Sequence, residues 1–350
     1  MLRQRCAAGF HAGKSMDPAV EAPVVLIDAY SQIFRSYYAV RRLTDGAGNP
    51  VNALYVFTRL LLSLEREHPT RRGALLFDCG RVAFRLELLP EYKANRPPMP
   101  DDLRSQLPRI RAMAAAFGWP LLQSEGYEAD DLIGAFARAA APAEVRIVSA
   151  DKDLSQLLTE ERVKLLSPEK GNTGALVERG AESVREKFGV APERIPDFLA
   201  LVGDSSDNIA GVAGIGPKSA AELLNTCGAI ESWIDAPERL AGSRFAAKLA
   251  GQGELLRRNL GLVRLRTELP AEFADPAAAL TKSAPDWGAI AELCRECAFR
   301  SILKELPAEA AEPPSSPAAE EDDLFAGASA APAAPEEADA APTMVQGELF

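Results

Sequence analysis

The chain has 350 residues, 47% of them apolar, with 39 Lys and Arg against 50 Asp and Glu and a formal net charge of −11. That is enough apolar material for one large domain or two smaller ones with a sizeable core. No apolar run reaches the roughly 18 residues of a membrane span, and the first 21 residues lack the apolar stretch of a secretory signal.

In chain order, residues 1–22 read as a flexible extension, with Met16 as a second candidate start. Short apolar runs at 23–28, 73–78, 119–123, 145–149 and 162–166 predict buried strands. Helical patterns lie between them at about 30–42, 51–67, 104–117, 128–141 and 152–159. Such alternation predicts an α/β fold with a doubly wound, mostly parallel sheet. Residues 79–103, with Arg81, Arg85, Lys93, Arg96 and the run RPPMP, are too proline-rich for a crossover helix. They predict a partly helical excursion above the sheet edge. From about 183 to 306 the pattern is helical: SVREKFG, IPDFLALVG, PKSAAELLNTC, ESWIDA and a helix over 288–305. Residues 307–350 hold ten acids and no Lys or Arg, a composition that predicts a disordered tail. The rest of the chain has 39 basic and 40 acidic groups, so local basic patches can still attract phosphate.

Nine acids form five clusters, most of them just after an apolar run. They are Asp28, Asp78, the trio Glu128, Asp130 and Asp131 in GYEADD, the pair Asp151 and Asp153, and the pair Asp204 and Asp207 in GDSSDN. Taken singly, each has an ordinary explanation as an N-cap, first-turn acid or turn residue. Together they gather at the carboxyl end of the strands, where open α/β sheets bind ligands. Such a concentration of anions is repulsive unless cations neutralise it. Oxygen-only donors suit Mg²⁺ or Mn²⁺, and paired metals of this kind hydrolyse phosphodiesters. His11 and His68 lie far from these clusters in sequence, which argues against histidine acid–base chemistry.

Two further features point to nucleic acid. In GVAGIGPKSAAELL, residues 211–224, a glycine-rich turn enters a helix with Pro217 in its first turn. Gly214 and Gly216 let the backbone approach a phosphate, and Lys218 adds charge; the alternative is a plain helix–turn–helix connection. In LLPEYKANRPPMP, residues 88–100, Lys93 and Arg96 can contact phosphates and Tyr92 can stack on a base. Five cysteines without a framework (Cys6, Cys79, Cys227, Cys294, Cys297) suggest reduced thiols and a cytoplasmic setting. The lone CxxC, Cys294 and Cys297, reads as helix-face packing.

The segments FDCGRVAFRLELLPEYKANRPPMPDDLR, GYEADDLIGAFA, SADKDLSQLL and GDSSDNIAGVAGIGPKSAAELL resemble, in order, the consecutive motifs of the 5′ nuclease family. The resemblance covers about 23–306. It is nearest to the 5′→3′ exonuclease domain of bacterial DNA polymerase I, with flap endonucleases further off. It implies a PIN-like α/β/α core over 23–182 with a helical arch at about 79–111. It also implies a helix-three-turn-helix DNA-binding region over 183–306, in a nuclease acting on 5′ flaps, nicks and gaps. No proofreading or polymerase pattern follows in the sequence, so a stand-alone nuclease is expected, with a monomer as the default. By the same resemblance Asp28, Asp78, Glu128, Asp130 and Asp131 surround a first Mg²⁺, and Asp151, Asp153, Asp204 and Asp207 a second. Arg35 contacts phosphate, Arg85 and Lys93 steer the scissile phosphate from the arch base, and Tyr92 and Arg96 share that motif. The loop from Gly214 to Ser219 holds duplex DNA, with K⁺ as a possible ligand. Tyr38 departs from the usual His, and Cys79, Gly80 and Arg81 replace a lysine-bearing segment. Gln346, Leu349 and Phe350 at the end of the tail resemble the peptide that docks replication proteins on the sliding clamp; EDDLF at 321–325 is a poorer copy. A catalytically weak DNA-binding adaptor and an RNase of related fold are the alternatives.

Overall fold

In a computed structural model of the chain, residues 22–168 and 176–308 are described. The expected N-terminal extension and both clamp-like peptides, including Gln346, Leu349 and Phe350, lie outside them. Six strands form one sheet: β1 Val24–Asp28, β2 Gly73–Leu76, β3 Leu121–Leu122, β4 Val145–Val148, β5 Val163–Pro168 and β6 Leu176–Arg179. The order is β3-β2-β1-β4-β5-β6. Every pairing is parallel except the antiparallel β5–β6 edge. After β1 the chain winds outward through β2 and β3, then returns to place β4 on the other flank of β1. The switch point therefore falls between β1 and β4, where a doubly wound sheet opens a crevice at its carboxyl ends.

The sheet is covered on both faces at its centre, which is why β1 and β2 are apolar and buried almost throughout rather than alternating, while β5 and the edge strand β6 carry charged residues. On one face Val24, Leu26, Ala74 and Leu76 pack with Leu132, Phe136, Leu199 and Leu256. On the other, Val25, Ile27, Leu75 and Phe77 pack with Ile33, Leu54, Phe57, Ile110 and Met113. β1 and β2 pair so closely that a Cβ on Gly73 would meet the carbonyl of Val25 at 2.2 Å, so only glycine fits there.

The helices of the core are α1 Ala29–Ala39, α2 Asn52–Glu67, α3 Ala83–Leu88, α4 Asp101–Arg104, α5 Leu107–Ala116 and α6 Ala129–Ala139. Three more, α7 Ala181–Phe188, α8 Ile195–Val202 and α9 Pro217–Cys227, lead into the helical region. The excursion is helical only at α3 and α4, and its turn carries Lys93 at φ +55°. It ends before α5, whose Ile110 and Met113 are core residues, so the stretch expected at 79–111 is shorter.

Several expected elements differ. The helix expected at 152–159 is a single 3-10 turn, Asp153–Leu157. The helix expected at 288–305 breaks into Trp287–Glu296 and Arg300–Leu303. There Ala298 takes φ +57°, its amide donates to Arg295 O and the Phe299 amide to Cys294 O. This is a Schellman stop made without glycine. From Leu280 the chain rejoins the core. Gly73 N donates to Leu280 O and Ser283 N to Gly118 O, and Ile290, Cys294, Cys297 and Ile302 fill the face shared with α2 and α5. Residues 280–306 thus pack with the sheet rather than with the helical region to which the sequence pattern attached them. Both cysteines of the CxxC are buried, as expected. No helix among the described residues is long and apolar enough to cross a membrane.

Candidate metal centre

Asp28 ends β1 and caps α1, its Oδ1 accepting the Ser31 amide at 3.1 Å and its Oδ2 the Ser149 hydroxyl at 2.8 Å. The N-cap explanation and the site explanation are therefore both met by one residue, because each carboxylate oxygen keeps a second lone pair. Asp78, just past β2, accepts the Ala129 amide at 2.7 Å and so docks the start of α6 against the strand end. Asp151 and Asp153 follow β4, with the Asp153 amide bonded to Asp151 Oδ1 at 2.8 Å. Asp204 and Asp207 flank the turn after α8, and Ser206 donates to Asp204 from both its amide and its hydroxyl.

Burial and mutual repulsion act on these groups together. Burial pushes the Asp28 carboxyl up to about 7, with repulsion from Asp78 and Asp151 adding to it. Asp130 is raised well above the ordinary range by burial, then by Asp151 and Asp28. Asp153 is raised well above it by burial, then by Asp151 and Asp204. Asp151 is also raised by burial and lies under the influence of Asp207 and Asp204. Burial works against Asp204 too, but Ser206 and Lys152 outweigh it and hold its carboxyl below the ordinary value. Oxygens of Asp153, Asp204 and Asp207 lie within 4.8 Å of one another, and Asp153 Oδ1 is buried without a hydrogen-bond partner. Mutually repelling buried carboxylates with an orphaned oxygen among them suit hard divalent cations. Two overlapping groups emerge, Asp28–Asp78–Asp130–Asp151 and Asp153–Asp204–Asp207, with Asp151 influencing both.

Two expected ligands and two expected phosphate or base contacts are placed otherwise. Asp131 is fully buried and bidentate to Arg85, at 2.7 and 2.8 Å. It also accepts the amides of Glu128 and Arg266, so both of its oxygens are met by protein donors. Arg85 is 1% exposed, and its Nε donates to Leu262 O. It joins α3, α6 and the helix Gly253–Val263 and has no surface to offer a phosphate. Glu128 faces the basic side chains, with Lys93 Nζ at 2.9 Å and Arg85 at 3.2 Å. Tyr92, expected to stack on a base, is buried instead, and its hydroxyl donates to Glu128 or Asp207 at 3.2 and 3.1 Å. An aromatic ring whose hydroxyl faces two buried carboxylates satisfies itself better inward than in water.

Lys93 and Arg96 do lie at the rim, 21% and 47% exposed, Lys93 against Glu128 and Arg96 against Asp207 at 2.5 Å. Asn95 donates to Ser205 O and Asn208 to Glu91 O, so the excursion and the 204–208 turn close on each other beside the acids. Arg35 is half-buried, and burial lowers its pKa. Tyr38 is 67% exposed. At 211–224 a turn leads into α9 as expected, with Gly214 at φ +77° and Gly216 as the cap of α9; α8 precedes it across residues 203–216, which include the antiparallel pair Gly203–Asp204 and Ile209–Ala210. Lys218 is exposed and Ser219 half-exposed in the first turn of α9. Lys248 Nζ occupies the Gly214 carbonyl at 2.7 Å, where K⁺ was a possible ligand. Sequence reasoning missed Ser149, Lys152, Ser206 and Lys248. The first three sit within two positions of a cluster acid and were legible as its neighbours; Lys248 is distant in sequence and carries no such signal.

A profile described as 5'-3' exonuclease, N-terminal resolvase-like domain, matches residues 23–189. A second, 5'-3' exonuclease, C-terminal SAM fold, matches 190–286. A 5'-3' exonuclease of Aquifex aeolicus is 35% identical over 283 residues, covering 80% of this chain and 94% of its own length. DNA polymerase I of Pseudomonas aeruginosa is 39% identical over 304 residues, 83% of this chain. The chain spans about a third of the length of such polymerase relatives. A solved phage T5 flap endonuclease, in a pseudo-enzyme–product complex with DNA and metal ions, is 25% identical. It covers 79% of this chain and 99% of its own, with a TM-score of 0.57. The two profiles together match residues 23–286, with a resolvase-like domain followed by a SAM fold, and the chain belongs to the 5′-3′ exonuclease family.

Proposed function

We propose that the chain is a structure-specific 5′ nuclease that hydrolyses DNA phosphodiesters at 5′ flaps, nicks and gaps, in primer removal and repair. The convergence of carboxylates from five chain segments at the β1–β4 crevice, beside a basic rim, carries this reading. The DNA and metal ions bound by the phage T5 relative support it. Mg²⁺ is the cofactor matched to oxygen-only donors, with Mn²⁺ as its substitute. Asp28, Asp78, Asp130 and Asp151 would hold one ion and Asp153, Asp204 and Asp207 the other, with Glu128 at the rim between the first group and Lys93. When bound, such ions activate water and stabilise charge on the attacked phosphate.

The chain's own part is positioning. Lys93 and Arg96, drawn to Glu128 and Asp207, can exchange a carboxylate for a phosphate oxygen of the scissile strand. Arg35, which has no carboxylate partner among the described residues, adds a further phosphate contact. Tyr92 and the Arg85–Asp131 pair hold the arch base at its distance from the acids. The turn at 214–219 grips duplex DNA away from the cut. One chain supplies every one of these groups, which supports action as a monomer, and its free cysteines fit a reducing cytoplasm.

A 5′-flap oligonucleotide should be cut near the flap junction in Mg²⁺ or Mn²⁺ and left intact in EDTA; cutting in EDTA would rule out the metal assignment. The tail peptide at Gln346, Leu349 and Phe350 is proposed to tether the enzyme to the sliding clamp. Removing residues 346–350 should weaken binding to the clamp in surface plasmon resonance and leave flap cleavage without clamp unchanged.

Burial of unpaired acids also predicts a pH effect on the metal-free protein. Asp28 keeps its proton in the folded state up to about pH 7, whereas an ordinary carboxyl releases it near 3.8. Between those values the folded state binds more protons than the unfolded state, so stability falls as pH rises. The melting temperature in EDTA should drop from pH 5 to pH 8, and added Mn²⁺ should raise it more at pH 8 than at pH 5. A flat profile in EDTA would mean that the fold does not hold the Asp28 proton above the ordinary carboxyl range.

A further inference from the structure

Ser149 directly follows β4 and is fully buried. Val145, Ile147 and Val148 before it are buried too, and each is apolar. A hydroxyl in such a place costs about 1–3 kcal/mol unless it is hydrogen-bonded. The partners of this one all lie at the metal centre. It donates to Asp28 Oδ2 at 2.8 Å and accepts the Asp151 amide at 3.0 Å. The Ser31 hydroxyl lies 3.3 Å away, placed to donate to its remaining lone pair. Ser31 also supplies the amide that holds Asp28 Oδ1, so both oxygens of that carboxylate are fixed. Asp151 in turn accepts the Asp153 amide at 2.8 Å. A line of hydrogen bonds therefore runs from the end of β1 through Ser149 to Asp151 and Asp153, across the switch point.

We propose that Ser149 is a positioning residue for the metal centre. Its hydroxyl fixes the Asp28 carboxylate and the Asp151 backbone at one spacing, so that acids from β1 and β4 face the same divalent cation. Like charges at close range move apart unless they are tied. A carboxylate tied by hydrogen bonds keeps its orientation, and each oxygen still has a lone pair for a cation. Without the tie, an arriving ion must first gather its ligands, and that ordering cost appears as lost affinity. Ser149 supplies no charge in this role and acts only through Asp28 and Asp151. The proposal rests on the assignment of those two acids to one ion.

The test measures Mn²⁺ binding to the full chain, without DNA, by electron paramagnetic resonance, which detects the free aqueous ion. Ser149→Ala should bind Mn²⁺ roughly tenfold more weakly than wild type. In flap cleavage the Mn²⁺ concentration for half-maximal rate should rise by roughly the same factor, while the rate at saturating Mn²⁺ stays within about threefold of wild type. A serine that only supported the fold would lower the melting temperature in EDTA and leave Mn²⁺ affinity alone. Equal Mn²⁺ affinity in the two proteins would therefore overturn the role of Ser149 and leave the metal centre in place. A loss of cleavage that saturating Mn²⁺ does not restore would overturn it as well, since such a loss lies in the chemical step rather than in ligand spacing. Wild type that binds no Mn²⁺ would remove the metal centre itself, and the proposal with it. Alanine is smaller than serine by one oxygen, so the variant fits the site, and a cooperative thermal melt confirms its fold.

Discussion

Asp151→Asn should lower cleavage of a 5′-flap substrate by roughly a thousand-fold or more, while flap binding in EDTA stays within about twofold of wild type. Asp151 is where the two acid groups overlap. Its charge acts on Asp28, Asp130 and Asp153 and is itself influenced by Asp204 and Asp207. Losing that one charge weakens both ion positions. Its structural duty is small, because an Asn Oδ1 can still accept the Asp153 amide that Asp151 now accepts at 2.8 Å. The variant should therefore fold, and in EDTA it should melt at a higher temperature than wild type, because a repelling buried charge is gone. Lost activity with raised metal-free stability is the signature of a site that works against the fold. Single-turnover cleavage and a thermal melt on the same preparation read both sides. Cleavage within tenfold of wild type would mean that the cluster is not the catalytic centre.

Arg85→Ala should destabilise the protein by about 3–5 kcal/mol, the usual consequence of removing one partner of a buried ion pair. The guanidinium joins three elements: α3 carries it, Asp131 at the start of α6 receives two of its N–H groups, and Leu262 O takes the third. Its removal leaves Asp131 charged and buried and loosens Glu128. Lysine should not rescue the loss, since it lacks the planar fork that meets both carboxylate oxygens. Arg85→Ala combined with Asp131→Ala should cost less than the sum of the two, by about 1–3 kcal/mol. Urea denaturation measures each term. If Arg85→Ala kept wild-type stability yet lost cleavage, the side chain would be acting on the phosphate and its positioning role would be wrong.

Much of the molecule was legible in one dimension. Apolar runs at 23–28, 73–78 and 145–149 became β1, β2 and β4, because a strand buried on both faces is apolar at nearly every position; Arg146 in β4 is the exception, paired with Glu144 and Glu178. Acids just beyond those runs share the carboxyl edge because the strands are parallel, and they meet there because β2, β1 and β4 are neighbours in the sheet. GIGPK gave the hairpin, since a left-handed Gly214 and Pro217 in a first turn are local requirements. Tertiary structure alone decided which acids face one another and which meet a basic side chain. Asp130 and Asp131 are adjacent and chemically identical, yet one faces its fellow carboxylates and the other meets Arg85, 46 residues away. Tyr92 turned inward for the same reason, as its hydroxyl found two buried carboxylates across the chain. Ala298 ended a helix in the left-handed region without a glycine to announce it. A sequence determines local geometry and the burial of apolar runs by short-range physics, but the partner of a charged side chain depends on which distant segment packs beside it.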